Sequence, residues 1–163
     1  MRVLGIDPGT ATTGYAVVEE EGADLHLIAI GVIETQAGIP LPQRLQEIYR
    51  DLRAVVARYV PETSAVEELF FSRNVRTAMA VGHARGVTLL ALVDAGLPVG
   101  EYTPMQVKQA VTGYGGAEKR QVQEMVRLLL HLPEIPRPDD AADAAAVAIC
   151  HLYRARMEGL LVA

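Results

Sequence analysis

MRVLGIDPGTATTGYAVVEE, residues 1–20, is the stretch whose reading decides the fold. Val3, Leu4 and Ile6 read as a short buried strand over residues 2–6, and residues 13–20 as a second. Pro8-Gly9 supplies the turn between them, and after a further turn at Gly22 a third apolar strand spans residues 25–35. Two short turns in succession imply an antiparallel meander, because a parallel return needs a crossover of a dozen or more residues. Asp7 is the odd member of this pattern. A strand built for burial does not normally end on a carboxylate, although a plain turn former explains Asp7 when it is taken alone.

The rest of the chain alternates helix and strand. Pro42 opens a helix to about Tyr59, with Leu45, Ile48, Leu52, Val55 and Val56 at helical spacing, and Pro61 stops it. SAVEELF (64–70) reads as a strand and residues 74–95 as a long helix ended by Gly96. A short strand over 99–102 precedes helices at about 104–112 and 118–131. Pro133, Pro136 and Pro138 then form a rigid connector to a last helix from Asp139 to about Glu158. The order β-β-β-α-β-α-β-α-α-α predicts an α/β class: a mixed five-stranded sheet, its first three strands antiparallel, flanked by helices in one domain over 1–163.

Half of the 163 residues are hydrophobic, as expected of a globular protein. Apolar stretches are too short for a bilayer and no leader precedes them, so a soluble, cytoplasmic chain with no membrane partner is expected. Cys150 is the single cysteine, which rules out an internal disulfide and suits a reducing compartment. The net charge of −5 argues weakly against a nucleic-acid partner. Its distribution argues otherwise: residues 69–131 hold seven basic and four acidic side chains, the remainder eight and sixteen. The only two lysines, Lys108 and Lys119, fall in that positive middle.

Four acids occupy positions where charge is costly. Asp7 ends a strand and Glu67 interrupts the apolar fourth one. Asp140 and Asp143 lie in DDAADAAAVAIC, where i, i+3 spacing puts both on one helical face. Each alone has a structural explanation: a turn, an ion pair with Arg, a first-turn acid favoured by the helix dipole. Jointly, with no His or Cys at ligand spacing, they form an oxygen-only set that selects Mg²⁺ or Mn²⁺. Two such ions bridged by carboxylates make the phosphoryl-transfer site of many nucleases and polymerases. His26, His83, His131 and His151 read as surface or core-edge groups, and Cys150 as packing.

GIDPG (5–9), TGY (13–15), AVEELF (65–70), ARGV (84–87), MQVKQAVTGYGGAEK (105–119) and DDAADAAAVAI (139–149) together resemble the RuvC family of bacterial Holliday-junction resolvases. The resemblance implies a ribonuclease-H-like fold and a homodimer. It also implies metal-dependent nicking of two symmetry-related strands of four-way junction DNA, with 5′-phosphate ends, in recombination and repair. The branch-migration complex of RuvA and RuvB is an implied partner. Residue by residue, the family's acidic tetrad falls on Asp7, Glu67, Asp140 and Asp143, its junction-contacting aromatic on Phe70, and its functional lysines on Lys108 and Lys119.

Where cations are otherwise always Arg, two isolated lysines suit a compact ammonium at a phosphate. Phe70 and Phe71 are consecutive, so one faces inward and the other outward beside Arg73, Asn74 and Arg76; an exposed aromatic beside cations suits base stacking. Glycines 113, 115 and 116 precede a helix start, where backbone amides approach phosphate or simply form a loop. The small residues of 74–95 suit a two-fold interface, and a buried intramolecular helix equally well. The rival readings are a RuvC-like nuclease acting on ribosomal RNA precursors and a fragment of an actin-like-fold ATPase.

Overall fold

The computed structural model describes residues 1–68 and 74–162, with side chains as far as Gly159. Strands β1 (Arg2–Asp7), β2 (Thr12–Glu21) and β3 (Asp24–Glu34) form the antiparallel meander. β4 (Thr63–Glu67) lies parallel to β1 and β5 (Val99–Tyr102) parallel to β4, so the sheet runs β3-β2-β1-β4-β5. The mixed sheet with an antiparallel N-terminal half is the one expected from the sequence.

Strand alternation splits the core in two. Leu4, Ile6 and Val17 point to one face and pack on α1 (Leu41–Tyr59) and α2 (Val75–Asp94) through Ile48, Leu52, Ala84 and Leu92. Val3, Ala16, Val18 and Ala65 point to the other and pack on α5 (Asp139–Val162), with α3 (Pro104–Thr112) and α4 (Lys119–Leu129) beside it. Full burial of a Leu or Ile side chain contributes about 1.5–3 kcal/mol, and Leu4, Ile6, Ile48, Leu52, Ile149 and Leu152 are all fully buried.

The helix ends follow their local chemistry. Val60 takes a left-handed conformation (φ 48°) that closes α1 ahead of Pro61. The Asn74 side chain accepts from the amides of Arg76 and Thr77 and so starts α2. Thr103 and Gln106 form a reciprocal capping box on α3.

α5 lies unusually close to the sheet. Ala141, Ala142, Ala144, Ala145, Ala146 and Ala148 are buried along it, and the strands beneath them carry glycines. A Cβ on Gly14 would sit 1.9 Å from the carbonyl oxygen of Asp140, and one on Gly5 would sit 2.2 Å from that of Ala144. Backbone approaches backbone at both points, which is why the helix is written in alanine.

Two boundaries differ from the sequence reading by three residues or more. The fourth strand stops at Glu67 rather than continuing through residue 70, because its neighbours end there: β1 stops at Asp7, and Tyr102 is the last residue of β5 to pair with it. α5 continues past Glu158 to Val162, since a single exposed glycine is tolerated in a helix. No described helix is long and apolar enough to cross a membrane.

Candidate metal centre

Asp7 and Glu67 are the final residues of β1 and β4. Parallel pairing matches Ile6 with Val66, so the two carboxylates emerge side by side. Alternation directs them to the α5 face, as it does Val3 and Ala65. Asp140 lies in the first turn of α5, where the helix dipole favours acid, and Asp143 follows at the i+3 position. The close seat of α5 on Gly14 and Gly5 lowers this pair onto the strand pair. One carboxylate oxygen from each of Asp7, Asp140 and Asp143 lies within 4.8 Å of the others. Glu67 stands outside that trio and couples to it electrostatically through Asp7 and Asp143.

Two unit charges about 4.8 Å apart repel by roughly 3.5 kcal/mol at an effective dielectric near 20. The cluster on its own therefore retains protons. Burial, then the charges of Glu67, Asp143 and Asp140, pushes Asp7 up to about 8. Burial and Asp143 push Glu67 up to about 7, against the favourable hydrogen bond from Asp7 and the pull of Lys119 and Lys108. Burial also raises Asp143, opposed chiefly by Lys119.

Such a group fits a hard divalent cation. Its donors are all oxygen, and two oxygens on opposite sides of one Mg²⁺ stand about 4.2 Å apart. The observed spread thus needs only side-chain adjustment.

Both predicted lysines reach this place. Lys119 Nζ is 3.3 Å from Asp143 Oδ2 and 3.3 Å from Asp139 Oδ2. Burial lowers the Lys119 ammonium, but Asp143 and Asp139 outweigh it and the net shift is upward. Lys108 shares with Glu67, Lys119 and Asp143 the wall of a cavity of about 220 Å³. The cavity thus sets both lysines beside Glu67 and Asp143.

The other predicted residues stand apart. Asn74 and Arg76 lie at the start of α2, exposed, with Asn74 engaged as the cap. Phe70 and Arg73, with Phe71, lie outside the described residues. Glu68 is exposed, and its amide donates to the Tyr102 carbonyl at 2.8 Å. His151 does not turn to the acids. Its Nδ1 is 2.8 Å from the Tyr102 hydroxyl and its Nε2 3.0 Å from that of Thr63, riveting α5 to β5 and β4. Cys150 is buried, and burial pushes its thiol up to about 11.

Sequence reasoning missed four contributors. Asp139, read only as a helix-start acid, completes the Lys119 bridge and accepts from Gln123 at 3.2 Å. Gly5 and Gly14 set the helix height; a glycine inside a strand is a known sign of close backbone approach and was the available signal. Nothing local marks His151 as a rivet.

The sequence model described as Crossover junction endodeoxyribonuclease RuvC matches residues 3–151. A crossover junction endodeoxyribonuclease RuvC from Chloroflexus aggregans is 63% identical over 155 residues, 95% of this chain and 94% of that protein. One from Brevibacillus brevis is 57% identical over 151 residues, covering 93% and 91%. The structure of T. thermophilus RuvC in complex with Holliday junction substrate superposes with a TM-score of 0.92 at 45% identity, over 97% of this chain and 96% of that one. A yeast mitochondrial Holliday junction resolvase, 14% identical with a TM-score of 0.65 over 97% of this chain and 82% of that one, shares the fold.

Proposed function

This chain belongs to the crossover junction endodeoxyribonuclease RuvC family, and from that premise we propose that it resolves four-way DNA junctions by nicking two symmetry-related strands. The observation that carries this reading is the convergence of Asp7, Asp140 and Asp143 within 4.8 Å, with Glu67 beside Asp7 on the neighbouring strand, at one end of the sheet. Of the readings left open by the sequence, neither the ribosomal RNA nuclease nor the ATPase fragment is supported by the relatives.

Asp7, Glu67, Asp140 and Asp143 would hold two Mg²⁺ or Mn²⁺ ions, whose chemistry is to supply a hydroxide nucleophile and to stabilise the leaving oxygen. The protein's own groups do the rest. The strand carboxylates are fixed by the sheet and the helical pair by the alanine seat of α5, so ligand positions are set before the ions arrive. Lys119, drawn toward Asp143 and Asp139, and Lys108 across the same cavity offer ammonium groups to the phosphates flanking the cut bond. Phe70, with Arg73, Asn74 and Arg76 beside it, is assigned to the unpaired strands at the junction centre.

Two equivalent cuts call for two equivalent sites, and an isologous homodimer supplies them. α2 suits the contact: Val75, Met79, Leu90 and Val93 leave 70%, 59%, 54% and 63% of their surface exposed at helical spacing, with the small Gly86 between them. Action in the cytoplasm, with the branch-migration complex of RuvA and RuvB as partner, belongs to the same reading.

The test is a nicking assay on a synthetic four-way junction with Mg²⁺ or Mn²⁺. Asp7→Asn, Glu67→Gln, Asp140→Asn and Asp143→Asn are each expected to abolish cleavage while junction binding persists. Products should carry 5′-phosphates and be resealed by a DNA ligase. Near-wild-type nicking by Asp7→Asn would overturn the assignment.

A further inference from the structure

On the face of the sheet opposite the acids, α1, α2 and the turn after Asp7 enclose a groove of about 540 Å³. Arg44, Arg76 and His83 line it together with Thr10, Ala11 and Thr77, and among the described residues no carboxylate does. We propose that this groove is a second phosphate site for the junction DNA, with Arg44 as its fixed cation. The inference rests on the junction-cleaving reading above.

Arg44 is held in an unusual way. Its Nε donates to the Thr35 hydroxyl at 2.8 Å. That hydroxyl donates to the Thr10 carbonyl at 2.6 Å, and the Thr35 amide donates to the Ala11 carbonyl at 3.0 Å. The Thr10 hydroxyl in turn donates to the Ala80 carbonyl of α2 at 2.6 Å. Thr10 and Thr35 are both buried. A half-buried guanidinium is thus oriented by a neutral chain of hydroxyls, and among the described residues it stands in no ion pair.

Partly desolvated arginine without an acid partner is poorly compensated. A single Nε contact also leaves the terminal amines of its planar fork for an anion, and phosphate matches that fork in two-pronged fashion. Because Thr35 fixes the side chain beforehand, little of the roughly 2 kcal/mol of arginine rotamer entropy is lost on binding.

Placement names the ligand. Thr10 and Ala11, in the turn that follows Asp7 at the carboxyl end of β1, line the groove, so among the described residues that turn lies between it and the acids. A DNA strand carries one phosphate per about 3.4 Å of helix axis. A strand seated on the acids and continuing across that turn would lead its later phosphates toward Arg44 and Arg76.

Binding of a synthetic four-way junction is measured by fluorescence anisotropy in metal-free buffer over a salt series, for wild type, Arg44→Gln, Arg44→Lys and Thr35→Val, with the oligomeric state followed by sedimentation. Loss of one phosphate contact by Arg44→Gln should weaken binding roughly tenfold. It should also make the slope of log K against log salt shallower by about 0.7–0.9. Arg44→Lys should keep the slope, because the charge remains. Thr35→Val should weaken binding with the slope unchanged, because only the orientation is lost. Wild-type affinity and slope in Arg44→Gln overturn the inference alone. So does a variant that falls to monomer with its slope intact, which would make the groove a protein interface. Wild-type protein that binds no four-way junction overturns the functional reading along with it.

Discussion

Replacing Gly14 with alanine should disable the metal centre without replacing a single ligand. The added Cβ would lie 1.9 Å from the carbonyl oxygen of Asp140, and real Cβ atoms essentially never approach closer than 3.0 Å, so α5 must retreat by about 1.1 Å. The obstacle is backbone, which has no rotamer to escape into. Asp140 and Asp143 ride on that turn, whereas Asp7 and Glu67 stay with the strands, so the retreat widens the gap between the two ligand pairs. Functional groups need placement within about 0.5 Å, and a 1 Å misplacement costs on the order of 100-fold in rate, equivalent to about 2.7 kcal/mol of barrier. Overpacking adds roughly 1–3 kcal/mol of lost stability, which a domain of this size survives. The assay is single-turnover nicking of a prebound junction, with circular dichroism as the check on folding. Gly5→Ala, which would place its Cβ 2.2 Å from the Ala144 carbonyl oxygen, should behave similarly but more mildly. A folded Gly14→Ala protein that nicks within threefold of wild type would refute the reasoning, since α5 would then have yielded without moving its acids.

Protons and cations should compete for the same carboxylates. Folding pushes Asp7 and Glu67 up to about 8 and about 7 from about 4 in the unfolded chain, so across that range the pair binds more protons in the folded state. Their contribution to the stability of the metal-free protein should then fall as pH rises from about 4 to about 8. Added Mn²⁺ should raise the melting temperature more at pH 8.5 than at pH 6, and Asp7→Asn should flatten that difference; equal gains at both pH values would count against the shared site. On α2, Leu90→Glu should cost the protomer little, because the side chain is already half exposed. Sedimentation should nevertheless report a monomer, and the junction should receive single rather than paired nicks. An intact dimer would move the interface elsewhere.

Much of this molecule is legible in its residues because the decisive signals are local. The meander follows from alternation and two turns within the first 35 residues. Asp140 and Asp143 declare themselves by being charged in a run of alanine, and Asp7 by closing an apolar strand. The end of β4 is not legible, since Leu69 and Phe70 continue the apolar run; what stops the strand is the length of its neighbours, which sequence does not express. Gly14 is opaque for a related reason, its partner Asp140 being remote in the chain. The same holds for His151, whose contacts with Thr63 and Tyr102 span 88 and 49 positions. Arg44 looks like any solvent-facing helical arginine until Thr35 is seen to hold it.

The hydrophobic clusters on the two sides of the sheet share no residue. Natural variation, or a protein engineer, can therefore rewrite the α1–α2 side to accept a different neighbour, a covalently linked second copy for example, while the α5 side goes on presenting the same four carboxylates. Changes on opposite sides should combine additively. The carboxyl end of the sheet, where the Thr10 hydrogen bond to Ala80 joins the Asp7 turn to α2, is answerable to both sides, and there a lineage altering its mode of assembly would have to alter its chemistry in step.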